Sequence, residues 1–154
     1  MATTLTQKQA NEQAAFAKFA RNMGMESMWL SMSSRPEPEP DLLCVHVSDG
    51  RIAFELVSLT DPAIAQVQAA GEKARQDAFS TSDPSERIIR NKLCKKYTTS
   101  AKRIELLVYT AGQIITPDDA IIPTIRPWLE VTTNPFSRVW FRGERTTCHL
   151  WSAS

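Results

Sequence analysis

The chain has 154 residues, 42% of them apolar and 23% charged, with 18 Lys and Arg against 17 Asp and Glu and a formal net charge of +1. That length and composition suit one folded domain over residues 1–154 with a real hydrophobic core, and exclude a disordered or low-complexity chain. Near-neutrality excludes a global attraction to nucleic acid, so any such binding has to come from a local patch.

Residues 5–23, rich in Ala, Gln and Lys, predict the first helix, with Phe16, Phe19, Ala20 and Met23 on one apolar face. Glu12 falls on the same stripe, and its ordinary reading is a solvated acid near the helix start. Glu26 is a second, more poorly placed acid. After Gly24, residues 27–33 alternate in polarity and predict a strand. The segment Arg35-Pro36-Glu37-Pro38-Glu39-Pro40 must be extended, because each proline pushes its predecessor away from helix, and it delivers the chain stiffly to Asp41.

Two β-rich runs follow on either side of Asp49-Gly50, a hairpin signal, and each carries one carboxylate among apolar neighbours: Asp41 in the first run and Glu55 in the second. A carboxylate inside a buried strand needs a cation or a proton. The loop length decides whether the two acids meet. A two-residue loop, Asp49-Gly50, pairs Ser48 with Arg51, sets Cys44 opposite Glu55 and sends Asp41 to the other face. A three-residue loop, Ser48-Asp49-Gly50 with Gly50 left-handed, pairs Val47 with Arg51 and Leu43 with Glu55. Asp41 then shares a face with Glu55 and Val57, about 7–8 Å from Glu55 along the diagonal. Two carboxylates at that spacing can converge on one divalent ion, and Mg²⁺ needs only one or two while keeping several waters. Both faces of this hairpin are largely apolar, which implies a sheet covered on two sides.

Asp61-Pro62 and Asp83-Pro84-Ser85-Glu86 each open a helix, the second running to about residue 97. The second helix combines Ile88, Ile89 and Leu93 with Arg87, Arg90, Lys92, Lys95 and Lys96, the basic cluster of the chain. Its plain reading is a solvated face with snorkelling stems; another is contact with nucleic-acid phosphates. Residues 102–110 predict a central strand in which Glu105 is structural, near the exposed beginning. Asp118 and Asp119 look like first-turn acids, and Pro123 and Pro127 predict a turn followed by a helix over 123–131. Residues 136–141 and 146–151 predict a C-terminal hairpin around Arg142-Gly143-Glu144-Arg145, with Trp140, Phe141 and Trp151 in the core. His46 and His149 lie on apolar alternations and read as packing residues. Cys44, Cys94 and Cys148 show no zinc spacing and read as small hydrophobes in a reduced compartment. With no signal peptide or long apolar run in view, the expected location is the cytoplasm, away from membranes.

The Pro40-Asp41 step, the short hairpin and the second strand carrying Glu55-Leu56-Val57 resemble the PD-(D/E)xK nuclease superfamily. The resemblance covers about residues 5–130. It implies an α/β fold, a restriction-endonuclease-like mixed β-sheet flanked by helices, which the C-terminal hairpin would extend. It implies further that Asp41 and Glu55 hold Mg²⁺ or Mn²⁺, that Glu12 is an additional acid on the first helix, and that a Lys two residues after Glu55 helps activate water. Val57 stands at that position. Some branches supply the Lys from another element, and Lys92 with Lys95-Lys96 resembles the Lys-x-x-Lys arrangement that does so, with Lys92 reaching back along the apolar face.

Two functions follow from the resemblance. One is a metal-dependent nuclease acting on nucleic acid through Asp41, Glu55, Lys92 and Glu12, with Arg87, Arg90, Lys92, Lys95 and Lys96 on the phosphate backbone. The other is a catalytically degenerate module that keeps the fold and binds nucleic acid or a protein. Oligomeric state is left open, a homodimer being the arrangement that brings two sites to two strands.

Overall fold

The computed structural model describes residues 5–59, 92, 96–110, 118–131 and 134–153. The helix expected from Asp61, most of the one expected from Asp83, and with them Arg87, Arg90, Cys94 and Lys95, lie outside the described residues.

Helix α1 (Gln7–Asn22) starts where local chemistry tells it to. Thr6 is the N-cap: its Oγ1 accepts from the Gln9 N–H at 3.1 Å, while Gln9 Oε1 accepts from the Thr6 N–H at 3.0 Å. Two orphan donors are satisfied reciprocally. The helix ends at Gly24, whose φ of +69° lets the Met25 N–H reach back to the Ala20 carbonyl at 2.8 Å. A 3₁₀ turn, Glu26–Met28, then leads into β1 (Trp29–Ser34), a little later than the alternation of residues 27–33 suggested.

Strands β2 (Leu42–His46) and β3 (Gly50–Leu59) form the hairpin, and β4 (Arg103–Thr110), β5 (Arg138–Arg142) and β6 (Thr147–Ser152) complete a mixed sheet in the order β1-β2-β3-β4-β5-β6. The β3–β4 and β4–β5 pairs are parallel, the others antiparallel. The fold is α/β, and the C-terminal hairpin does extend the sheet. Among the described residues, no helix is long and apolar enough to cross a membrane.

Alternation along the strands sorts side chains to two covered faces. Leu42, Cys44, Ile52, Phe54, Leu56 and Leu107 point at α1 and bury Phe16 and Phe19, with the Phe16 and Phe54 rings 4.9 Å apart. Val57, Leu106, Val108, Val139 and Phe141 point the other way, onto helix α2 (Asp118–Val131).

Helix α2 corrects the sequence expectation, because it runs unbroken through Pro123 and Pro127. The two prolines are one helical turn apart on the exposed side, so the carbonyls they leave unpaired face water. Ile121, Ile125 and Leu129, spaced four apart, are buried on the opposite side and hold the helix to the sheet.

Glu105 is a second correction. It is buried, not near an exposed strand beginning, and it is satisfied by the Arg103 Nε at 2.7 Å and the Trp140 Nε1 at 2.7 Å. Arg103 also donates to Asp49 at 2.9 Å, so one guanidinium joins β4 to the hairpin turn. Asp118 is a third. Rather than being an ordinary first-turn acid, it is buried and accepts from the backbone N–H groups of Glu144, Arg145 and Thr146 at 3.2, 2.8 and 2.8 Å. A Cβ on Gly143 would collide with that carboxylate, which is why glycine stands in the turn. Asp119 is exposed, as a first-turn acid should be.

Candidate active site

The hairpin register brings the two strand acids together by a route neither expected loop provides. Val45 pairs with Arg51, and His46 with Gly50, leaving Val47, Ser48 and Asp49 as the loop. Gly50 is left-handed, with φ +76°. The cause is His46, whose Nδ1 accepts from the N–H groups of Ser48 and Asp49, both at 3.2 Å, and so folds the turn around itself. The ladder runs to Leu42 opposite Phe54, and one further step places Asp41 directly opposite Glu55, on the same face.

At that step the chain exchanges ladder bonds for side-chain bonds. The Asp41 N–H donates to Glu55 Oε1 at 3.0 Å, and the Leu56 N–H donates to Asp41 Oδ2 at 3.0 Å. Lys92 Nζ and the Tyr97 hydroxyl each donate to Glu55 Oε2 at 2.8 Å. Glu55 is 1% exposed, whereas Lys92 is half-buried and keeps contact with solvent. Tyr97 had no signal in the sequence. It is positioned by packing on Phe136, ring centroids 5.8 Å apart.

The electrostatics follow from burial. Glu55 is raised above the usual carboxylate range by desolvation and then by the charge of Asp41, with Lys92 opposing the rise. Asp41 is raised by desolvation as well, against the hydrogen bond from Leu56; Glu12 adds to the rise and Lys92 reduces it. Each carboxylate also acts on the titration of the other, which lies opposite it. Burial and the Glu55 charge push the Tyr97 phenol far up, so it stays a donor. The pair therefore favours a proton or a cation between its members.

Glu12 is not the solvated acid of its ordinary reading. It is buried on α1 with Lys8 at 3.9 Å, and its charge is felt by both Asp41 and Tyr109. Glu26 stays in solvent, 3.8 Å from Arg21. Val57 is buried in the core under α2, and Lys96 is exposed. His46 has its turn-forming role, while His149 is exposed and lies edge-on to Trp140, ring centroids 5.0 Å apart, so it packs from outside the core.

Among the described residues, no group of three or more His, Cys, Asp and Glu side chains is gathered to hold a metal ion. The donor set of Asp41 and Glu55 nevertheless suits a hard cation, which accepts two carboxylates and completes its shell with water. Cys44 is buried against α1, where desolvation raises its thiol and keeps it unreactive. No family model, curated protein or solved structure matches this chain.

Proposed function

We propose that the protein is a divalent-metal-dependent nuclease that hydrolyses phosphodiester bonds in nucleic acid at an atypical active site. The observation that carries this reading is the placement of Asp41 opposite Glu55, whose Oε2 accepts from Lys92 Nζ at 2.8 Å. An acid pair joined by a lysine from elsewhere in the chain offers what the resemblance asks for, with Lys92 in place of Val57. A helix, three antiparallel strands and a further strand parallel to the third, in a sheet flanked by helices, agree with the restriction-endonuclease-like fold.

In this reading Asp41 and Glu55 would hold Mg²⁺ or Mn²⁺, which would supply Lewis-acid stabilisation of the charge that builds on the phosphate. Lys92 holds the attacking water and faces the same developing charge. Tyr97, a neutral donor, keeps the Glu55 carboxylate oriented. Glu12 adds negative charge beside Asp41 and strengthens its hold on a cation. Water attacks phosphorus and gives up a proton to solvent, the ester P–O bond breaks, and the departing alkoxide takes up a proton from solvent, so that one water is consumed and a phosphate monoester and a hydroxyl are left.

The second reading, a degenerate binding module, draws on one observation: both Glu55 oxygens already accept hydrogen bonds, from Asp41, Lys92 and Tyr97. Incubating purified protein with single- and double-stranded DNA and RNA, with Mg²⁺ or Mn²⁺ against a chelator and beside Glu55→Ala, separates the two. Cleavage lost with both chelator and substitution supports the nuclease. Absence of cleavage by folded protein on every substrate replaces it with the binding module.

A further inference from the structure

Three cations among the described residues are half-buried: Lys92, Arg103 and Arg142. Lys92 holds Glu55, and Arg103 holds Asp49 and Glu105. Arg142 holds no carboxylate among the described residues. Its guanidinium lies over the buried Tyr109 ring at 5.8 Å, near the outer limit of a cation–π contact, and its buried Nε has no hydrogen-bond partner. Desolvation lowers its pKa from the ordinary value, and Tyr109 opposes the shift. A cation that has given up part of its water needs an anion in return.

Strand register sets Ser58, Tyr109, Arg142 and Thr147 in one row across β3, β4, β5 and β6, on the face toward α1. The first three of these strands are parallel, and the row crosses them at their carboxyl ends, where open α/β sheets receive ligands. Ser58 and Tyr109 wall a cavity of about 460 Å³ there. Lys8 and Lys92, which also line it, are paired with Glu12 at 3.9 Å and Glu55 at 2.8 Å and bring it no net positive charge. On the other side of Arg142, Thr147 is its cross-strand neighbour, and Thr147 Oγ1 accepts from Asn22 Nδ2 at 3.1 Å. That bond uses a lone pair and leaves the hydroxyl proton to be donated. Directly opposed side chains start about 4.5–5.5 Å apart at Cβ, so a guanidinium and a hydroxyl placed in this way can meet one oxyanion. A carboxylate spends both oxygens on the guanidinium fork, whereas a phosphate keeps a further oxygen for the threonine.

We infer that Arg142 and Thr147 form a binding site for a phosphate group, carried by a mononucleotide or by a nucleic-acid strand. Arg142 donates through its terminal nitrogens, which unlike Nε are not closed off from solvent. Thr147 donates its hydroxyl proton, Asn22 fixes the direction of that hydroxyl, and the Tyr109 ring supports the guanidinium from below. None of Asp41, Glu55 and Lys92 takes part, so the site stands or falls apart from the nuclease reading.

The test is a nuclear magnetic resonance titration of the full chain, following the Arg142 Nε–H signal, assigned through its own side-chain carbons and lost in Arg142→Lys. Chelator is present throughout so that nothing is cut. The probes are inorganic phosphate, thymidine 5′-monophosphate and a short oligothymidylate without terminal phosphates, against sodium chloride and sodium acetate at equal ionic strength. Phosphate and at least one of the two nucleotide probes should move the signal saturably, with half-saturation at about 1 mM or below, while chloride and acetate leave it in place. Movement by the oligothymidylate assigns the site to the backbone of a strand; movement by the monophosphate without it assigns the site to a terminal phosphate. Thr147→Val should weaken the response by about ten-fold. A signal that phosphate leaves unmoved, or that chloride or acetate moves as far, overturns the inference. So does a response to inorganic phosphate without either nucleotide probe, which is an adventitious ion only, and equal affinity in Thr147→Val overturns the pairing with Arg142. None of these results bears on metal-dependent cleavage, and absence of cleavage leaves the phosphate site standing.

Discussion

Lys92→Met removes the ammonium beside Glu55 and keeps most of the stem. Breaking a buried ion pair from one side costs about 3–5 kcal/mol when the remaining charge has no relief. Here the relief is substantial. The Lys92 side chain is 24% exposed, and Glu55 keeps the Asp41 N–H and the Tyr97 hydroxyl and can take up a proton. The expected loss at neutral pH is therefore about 1–2 kcal/mol. Its pH dependence has a definite sign. Asp41 and Glu55 both stand above their ordinary values of 3.8 and 4.5, so the native state binds more protons than the unfolded state between those values and the raised ones. Wild-type stability therefore falls as pH rises through that window. Without Lys92 the Glu55 titration moves higher still, so the loss is full above it and fades as pH falls through it. Urea unfolding of wild type, Lys92→Met, Glu55→Gln and the double variant across pH reads this directly. A cost independent of pH, or undiminished in the Glu55→Gln background, would refute the charge balance described here.

Asp118→Ala removes an acceptor from three backbone N–H groups that lie near solvent and can rebind water, so unfolding should become easier by about 3 kcal/mol. A urea midpoint within the error of wild type would mean that the β5–β6 turn holds itself. Val57→Lys, which sets a lysine two residues after Glu55 in β3, puts an ammonium among the buried side chains under α2. It should destabilise by about 3 kcal/mol or more and yield no gain in cleavage rate. Faster cleavage at wild-type stability would show that the strand position can reach the acids after all.

The Asp49-Gly50 turn, the carboxylate in each flanking run and the apolar faces of α1 and β3 were all legible, because each is a local pattern with one physical meaning. The register was not, because the His46 imidazole folds the loop and no turn propensity encodes a side chain that accepts two backbone protons. The continuity of α2 was hidden for a similar reason: two prolines read as breaks until the buried spacing of Ile121, Ile125 and Leu129 is weighed against them. Glu105 is charged in a core because Arg103 and Trp140 meet it there, and Trp140 reaches it only through the pairing of β5 with β4. Asp118 shows the same dependence, its partners lying 26 to 28 residues further on. Lys92 was nominated from its place on a basic face, whereas Tyr97, equally close to Glu55, carries no pattern that marks it.

The sheet is laid down in the order in which the chain is made, each strand beside its predecessor. Asp41 and Glu55 belong to one hairpin, at the end away from its turn, while Lys92 and Tyr97 follow Glu55 by 37 and 42 residues. During synthesis, at about 5–20 residues per second, the acids emerge seconds before their counter-charge. The two acids face each other at the hairpin's open end, and the ammonium and hydroxyl that meet Glu55 there come from later chain. A charged cluster of this kind ties the first half of the molecule to the second through Glu55.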